Sequence, residues 1–372
     1  MKKIIIIGAG FAGLTAASKL SRAEVNARIT IFDRKKQFNF LPLLPDCIGR
    51  KIDPQFLAVD LDKFFGSGKV EFVPQEVTGL DLTAHQVIAG LARYSYDYLL
   101  VASGTEPNFY TNAQARQHSF TLNSVADAEK INCYLKENNP GQVVICGGGY
   151  TGIEVATNLA RRFRKSGSFV KITLLERLPA ILGALPAWMR EYTVKNLDRL
   201  GIEVLAGTTI EKITPDKIQI AQGREFERAM LVWVAGVKTA DFIQGLEIAK
   251  NPQGRVMVND YLAAGENCFW AGDAAWFVER GSGLRMAVQF ALTQGALAAQ
   301  NIVQSIKGLP LKKYRPRDLG YIIPMANNFS CGRVLGLNVS GPAATFLHFM
   351  MCIYRSLSWR NKAGILRGLI RG

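Results

Sequence analysis

The sequence has 372 residues, too many for one ordinary core and enough for two or three domains. With 48% hydrophobic and 20% charged residues it is neither a disordered nor a collagen-like chain. The net charge of +15 is spread unevenly: from position 312 onward ten lysines and arginines face Asp318 alone, which is nine of the fifteen. Such a tail suits either nucleic acid or an anionic lipid surface. Its cations are interleaved with Phe346, Leu347, Phe349, Met350, Ile353, Tyr354, Leu357 and Trp359, and large apolar groups at that density favour an acyl boundary over a phosphate backbone.

Lys2 and Lys3 lead into only four isoleucines before Gly8, too short a run for a signal peptide, so the chain is expected to begin in the cytoplasm. Ile4 to Ile7 reads as a buried parallel strand, with a helix expected from Phe11 and a second strand over Ala27 to Phe32, stopped by Asp33. Tyr98 to Ala102 is another strand, and the polar stretch 105–119 reads as a connection between domains. The first pattern then recurs: a strand over Gln142 to Cys146, a helix over Gly152 to Arg164, and a strand over Val170 to Leu175 closed by Glu176. Val232 to Ala235 and Cys268 to Ala271 are further strands, and Met286 to Ile306 is a long helix candidate. The charge-free stretch 341–354 is shorter than the roughly 20 residues a spanning helix needs. Phe346, Phe349, Met350, Ile353 and Leu357 follow helical spacing, which by itself suits a core face as well as a membrane face. The expected fold class is α/β, with two Rossmann-type dinucleotide-binding domains and a small C-terminal helical segment that associates with a membrane. Residues 1–120 and 265–325 are expected to form a discontinuous first domain, 121–264 a second inserted in it, and 326–372 the basic amphipathic tail.

Gly8-Ala9-Gly10-Phe11-Ala12-Gly13 lies between strand and helix, where a glycine turn lets backbone approach a pyrophosphate that the helix N-terminus attracts. Asp33, twenty residues beyond Gly13, is placed to accept hydrogen bonds from a ribose. Gly147-Gly148-Gly149-Tyr150-Thr151-Gly152 is a second copy with Glu176 in the same role, so two dinucleotides are expected. A carboxylate there bonds a free 2′-hydroxyl and repels a 2′-phosphate, which favours NADH over NADPH, while the adjacent Arg177 opposes that preference. Glu154 either complements the helix dipole or takes part in chemistry, and both readings stay open. The six cysteines form no C-x-x-C pair, and His85, His118 and His348 are scattered, so reduced thiols and no metal site are expected.

A third motif, Phe269-Trp270-Ala271-Gly272-Asp273-Ala274-Ala275, follows the two fingerprints. In this order the three resemble the FAD-dependent pyridine nucleotide reductases. Asp33-Arg34 followed by Leu41-Pro42-Leu43-Leu44, Ala102-Ser103-Gly104, Trp233 to Val237, Gly254-Arg255-Val256 and Gln289 to Gly295 resemble the type II NADH dehydrogenases in particular, over nearly the whole chain. The chain departs from that family at Phe38, where a histidine is usual, at Tyr150, where a proline is usual, in the lead-in to Gln289, and in being shorter.

The resemblance implies non-covalent FAD on Gly8, Gly10, Ala12, Gly13, Asp33 and Arg34, with Pro42, Leu43, Val77, Ala102, Gly104, Gly272 and Asp273 as further contacts. It implies NADH on Gly147, Gly149, Tyr150, Gly152 and Glu176, with Ala235 and Gly236. Glu154, Gln289 and Gln294 would be the catalytic residues, beside the nicotinamide, flavin and quinone. The implied activity is non-proton-pumping NADH:quinone oxidoreduction, with hydride passing to FAD and two electrons then to a membrane quinone. The implied setting is peripheral attachment to an anionic lipid surface on the cytoplasmic face of the cell membrane, without nucleic acid and with homodimerisation open. Three other readings remain: a soluble NADH-dependent reductase of a ferredoxin or rubredoxin-type protein, a flavin-holding redox sensor or interaction protein without turnover, and a sulfide:quinone reductase. A dithiol mechanism is not expected, because Cys47 has Ile52 where its partner would stand.

Overall fold

Continuous runs of Ile, Val and Leu have no polar face to offer water, so they pair with parallel neighbours and are covered on both sides. The computed structural model describes residues 1–66 and 68–371, which leaves the last residue of the expected 326–372 segment outside the described residues. In it Lys2–Ile7 is the central strand of a five-stranded parallel sheet ordered Cys268–Trp270, Tyr98–Val101, Lys2–Ile7, Ala27–Phe32, Val70–Val73. Ile4 to Ile7 are all buried. A second parallel sheet runs Ile202–Ala206, Lys171–Glu176, Gln142–Cys146, Met230–Trp233. Each central strand feeds a helix through a glycine turn: Phe11–Ser21 in the first case, Tyr150–Ser166 in the second. Both sheets are therefore Rossmann-like cores.

The chain divides into two compact units, one made of 1–38, 59–106 and 237–318, the other of 39–58, 107–236 and Leu319 onward. These limits differ from the expected 120 and 264/265, and hydrogen bonding explains why. The stretch read as a connection is built onto the second sheet: Phe120 bridges Val232 in parallel, Asn108 N donates to Gly236 O (3.0 Å), and Trp233 Nε1 donates to Asn108 O (2.9 Å). Beyond Gly236 the chain returns to the first unit, where Ile243 and Val256 join Ile5, Ile7, Val87 and Trp270 in one apolar cluster.

The basic tail is likewise no separate body. It forms the antiparallel strands Gly320–Ile323, Cys331–Val334 and Leu337–Ser340 and the helices Gly341–Arg355 and Trp359–Arg371, all within the second unit. The last helix lies on the turn at 54–58: Asn361 Nδ2 donates to Ala58 O (3.3 Å), Arg360 donates to Gln55, and a side chain at Gly364 would collide with Phe56.

In the first unit the helix Val288–Ile306 packs on Phe11–Ser21. At Gly295 the contact is backbone to backbone, since an added Cβ would stand 2.2 Å from Ala12 O. An alanine inside a helix normally gains about 1 kcal/mol over glycine. Gly295→Ala is nevertheless expected to destabilise by about 1–3 kcal/mol, because overpacking forces the two helices apart. Denaturant unfolding monitored by circular dichroism checks the sign.

Candidate functional site

The turn after the first strand is shaped by three strand ends meeting. Gly8 N donates to Phe32 O (2.7 Å) and Ala102 N donates to Ile7 O (2.7 Å), while Gly8 itself has φ +100° with Ala102 O where a Cβ would be. Asp33 locks the arrangement: one carboxylate oxygen accepts from Ala9 N and the other from Lys35 N, both at 2.8 Å. Each oxygen keeps a lone pair for another donor. Helix Phe11–Ser21 starts at Gly10 with no side-chain cap, which leaves its first N–H groups for a ligand.

A cavity opens at this turn, lined by Gly8, Asp33, Arg34, Val77, Ser103 and Glu106 among others. Burial works against the Arg34 charge, but bonds to Glu76 (3.0 Å) and Glu106 (3.3 Å) overcome it and hold the guanidinium above its ordinary pKa. Ser103 Oγ is buried there without a hydrogen-bond partner among the described residues.

The Gly272–Ala274 turn of the same unit is held from both sides. Arg255 donates to the carbonyls of Asp273, Leu284 and Ala275, and Gly272 N donates to Gln294 Oε1 (2.7 Å). The Asp273 carboxyl accepts no hydrogen bond among the described residues, and burial raises its pKa against the pull of Arg255. An orphaned hydroxyl and an under-bonded carboxyl beside an uncapped helix are what a ligand rich in phosphate and hydroxyl groups would satisfy. FAD is such a ligand, and these residues fit it.

The second unit repeats the geometry. Gly147 has φ +120° with Val234 O where its Cβ would be, Gly147 N donates to Leu175 O (2.8 Å), and Val234 N donates to Cys146 O (2.8 Å). Glu176 accepts from Gly148 N and from Leu178 N, both at 2.8 Å. Helix Tyr150–Ser166 starts at Gly149, again with no side-chain cap, and the Tyr150 ring stands edge-on to Tyr321. Tyr110, invisible as a candidate in the sequence, donates from its hydroxyl to Ala235 O (3.0 Å) and covers Gly236. The Arg177 guanidinium lies over the Tyr110 ring at 6.0 Å. Only tertiary structure brings residue 110 to this loop.

The structure places four further expected residues. Pro42 and Leu43, expected with the first fingerprint, fall in the second unit, and Leu43 is fully buried, because 39–58 packs there. Gln294 is 1% exposed with its carbonyl accepting from Gly272 N, so it holds the Gly272–Asp273 turn in place. Gln289 is also buried and donates to Asp318 (3.1 Å), which Arg285 holds from the other side.

Glu154 is the fifth residue of its helix, past the first turn, so the dipole reading does not apply to it. The residue is half-buried, and its carboxyl is pushed well above the ordinary range, first by desolvation and then by Asp46. Asp46 is a buried carboxyl that sequence reading missed, since nothing in its local pattern marks it. Desolvation raises it to about 6 against the pull of Arg50. The six cysteines are unpaired with one another, four of them are buried, and burial drives the Cys47 thiol upward, away from the reactive thiolate. No His, Cys, Asp and Glu group among the described residues could hold a metal ion.

A family model described as pyridine nucleotide-disulphide oxidoreductase matches residues 2–298. The demethylphylloquinone reductase NdbB of Synechocystis sp. is 26% identical over 381 residues, covering 97% of this chain and 93% of the relative. The type II NADH:quinone oxidoreductase of Staphylococcus epidermidis is 27% identical over 375 residues, covering 93% of each chain. The structure of NDH2 from Plasmodium falciparum in complex with NADH is similar with a TM-score of 0.84 at 16% identity, over 99% of this chain and 97% of that one, which shows a shared fold.

The Gln294 placement carries its own test. Gln294→Leu keeps the volume but strips Gly272 N of its acceptor, and a buried N–H left unsatisfied costs about 1–3 kcal/mol. The expected outcome is a lower unfolding midpoint together with weaker flavin retention on gel filtration.

Proposed function

Because this chain belongs to the pyridine nucleotide-disulphide oxidoreductase family, we propose that it is a FAD-dependent NADH:quinone oxidoreductase working at a membrane surface. One observation carries the reading: the carboxylate-locked glycine turn occurs once in each unit with matching bonds, as two dinucleotides require. Relatives that match almost end to end and are named for quinone reduction support the choice of acceptor.

In the first unit the turn from Gly8 to Gly13, with Ala12 on its helix, would hold the FAD pyrophosphate. Asp33 would hold the adenosine ribose, and Ser103 and Asp273 would take hydroxyls. Arg34, Val77, Ala102 and Gly104 complete that cradle. Bound there, FAD supplies a two-electron acceptor for hydride and a donor to quinone. In the second unit the turn from Gly147 to Gly152 would hold the NADH pyrophosphate, with Glu176 on the adenosine ribose and Tyr150, Ala235 and Gly236 along the nucleotide. The reaction NADH + H⁺ + quinone → NAD⁺ + quinol takes one proton from the medium. Glu154, whose carboxyl desolvation pushes well above its ordinary range, is the residue suited to hold it.

Membrane attachment rests on side chains that the fold leaves outside. In the two terminal helices Phe346, Tyr354, Trp359 and Ile370 are 64–84% exposed, while Phe349 and Ile365 face inward. Lys362, Arg367 and Arg371 accompany them. No helix among the described residues is long and apolar enough to cross a membrane, so the proposal is surface attachment. The anionic cytoplasmic leaflet is the surface that suits these charges.

The activity is tested by NADH oxidation with a soluble quinone by the purified flavoprotein. Preference for NADH over NADPH by about tenfold or more is expected from ribose bonding and phosphate repulsion at Glu176. Glu176→Ala should narrow that ratio without loss of flavin, and equal kcat/KM for both cofactors in the unaltered enzyme would refute the assignment. A quadruple replacement of Phe346, Tyr354, Trp359 and Ile370 by serine should release the protein from anionic vesicles, and high salt should weaken unaltered binding without abolishing it. These exposed positions test attachment better than deletion of the helices, which would uncover Phe56 and Ile52. Failure to bind vesicles at low salt would instead favour a soluble protein acceptor.

A further inference from the structure

Glu154, Asn158 and Arg161 lie at successive turns of helix Tyr150–Ser166 and so share one face. The one-turn helix Asp46–Gly49 meets this helix at a distance only glycine allows: a Cβ on Gly49 would stand 2.2 Å from Asn158 O. Arg50, just after it, donates from Nε to Asp46 Oδ1 (2.9 Å), with both side chains about 5% exposed. The rest of the Arg50 guanidinium is occupied, since it donates to Ala326 O (3.1 Å) and Asn328 Oδ1 (2.9 Å) and lies over the Phe349 ring. It therefore cannot turn to a second carboxylate without giving up three partners. Asn158 is 3% exposed, donates from Nδ2 to Glu154 O (3.0 Å), and has an Oδ1 with no donor among the described residues.

We propose that Asp46 and Glu154 form one coupled carboxyl pair, in which Asp46 is the positioning residue that keeps the proton on Glu154. The proposal rests on the quinone-reductase reading for its functional use, but the coupling itself does not. A buried carboxylate disfavours a second negative charge nearby, so the pair loses its two protons in separate steps. Among the described residues Arg50 and Arg161 are the cations that offset Asp46. From helix Gly341–Arg355 the facing groups are His348, Cys352 and Arg355. Burial and the repulsion of Arg50 and Arg355 hold His348 neutral, down to about 4, and Cys352 is pushed up as a thiol. Glu129 and Asp53 act on Cys47 and add negative charge to the region. Among the described residues no cation beyond the two arginines opposes the pair, and Asp46 is the charged group that acts on Glu154. A protonated Asp46 would also supply the donor that Asn158 Oδ1 lacks. In turnover Glu154 gives one proton to the quinone, the other hydrogen and both electrons come from NADH, and the medium restores the proton to Glu154.

The test uses the flavin-loaded full-length protein and infrared titration of protonated carboxyl bands, with Glu154→Gln identifying the Glu154 band. In the unaltered protein the Glu154 band should shift as Asp46 titrates near pH 6 and vanish only well above it. A single step with no disturbance near pH 6 overturns the proposal, and this measurement needs no variant at Asp46. Asp46→Asn removes a negative neighbour, so Glu154 should lose its proton about one pH unit lower or more. The alkaline limb of the quinone-reduction profile should move down with it. Asp46→Glu, which restores the charge, should restore both. An unmoved Glu154 band in a folded Asp46→Asn protein refutes the coupling. A shifted band in a protein that reduces no quinone refutes the quinone reading and leaves the coupling standing.

Discussion

Asp33 and Glu176 stand at the ends of second strands, and each spends its carboxylate on the backbone N–H of the glycine turn beside it and on an N–H two residues further on. Those charge-assisted bonds fix the turn before any ligand arrives. The turn in turn sets where Gly10 and Gly149 start their helices and keeps the uncapped N–H groups together with a carboxylate that still has lone pairs to offer. Without the carboxylate, the N–H groups of Ala9 and Gly148 would lose their acceptor. A nucleotide then binds to a surface already shaped for it, so little binding energy goes to ordering the protein.

The second unit carries a feature the first has no need of. Its residues 39–58 lie against helix Tyr150–Ser166, and Arg50 and Arg161, one from each, both donate to the carbonyl of Ala326. Burying Asp46 with Arg50 is poor value as a source of stability, since the desolvation of two charges about cancels their attraction. On the proposed reading the pair provides a charge beside Glu154 that is present once Asp46 has lost its proton, near pH 6. That arrangement requires Gly49, because any side chain there would separate the two helices.

The terminal helices show how one helical stripe can serve two surfaces. Phe349 packs under Arg50 while Phe346 and Met350, close by in sequence, remain exposed. Trp359–Arg371 buries the face of Asn361, Gly364, Ile365 and Gly368 and leaves Leu366 and Ile370 outside. The inward contacts fix the helices to the enzyme, so the outward apolar groups are held in place instead of trailing on a flexible tail.

Both βαβ cores, the strand limits within a residue or two, the two glycine turns and their partner carboxylates were legible in the sequence, because each depends on neighbours within about thirty residues and on local backbone requirements. The apolar periodicity of the tail was legible too, but not which of its residues face inward, because a helical stripe does not say what covers it. The domain limits at 106/107 and 236/237 depend on which sheet the connecting segments extend, and the bridge from Phe120 to Val232 joins residues more than a hundred positions apart. The bond from Gly272 N to the Gln294 carbonyl joins residues 22 positions apart, and Asp46 and Tyr110 carried no local signal at all. What sequence alone determined was the local chemistry of the turns. Which side chains lose their water and meet a distant partner, and so which carboxyl titrates where, is a property of packing, and only the tertiary structure decided it.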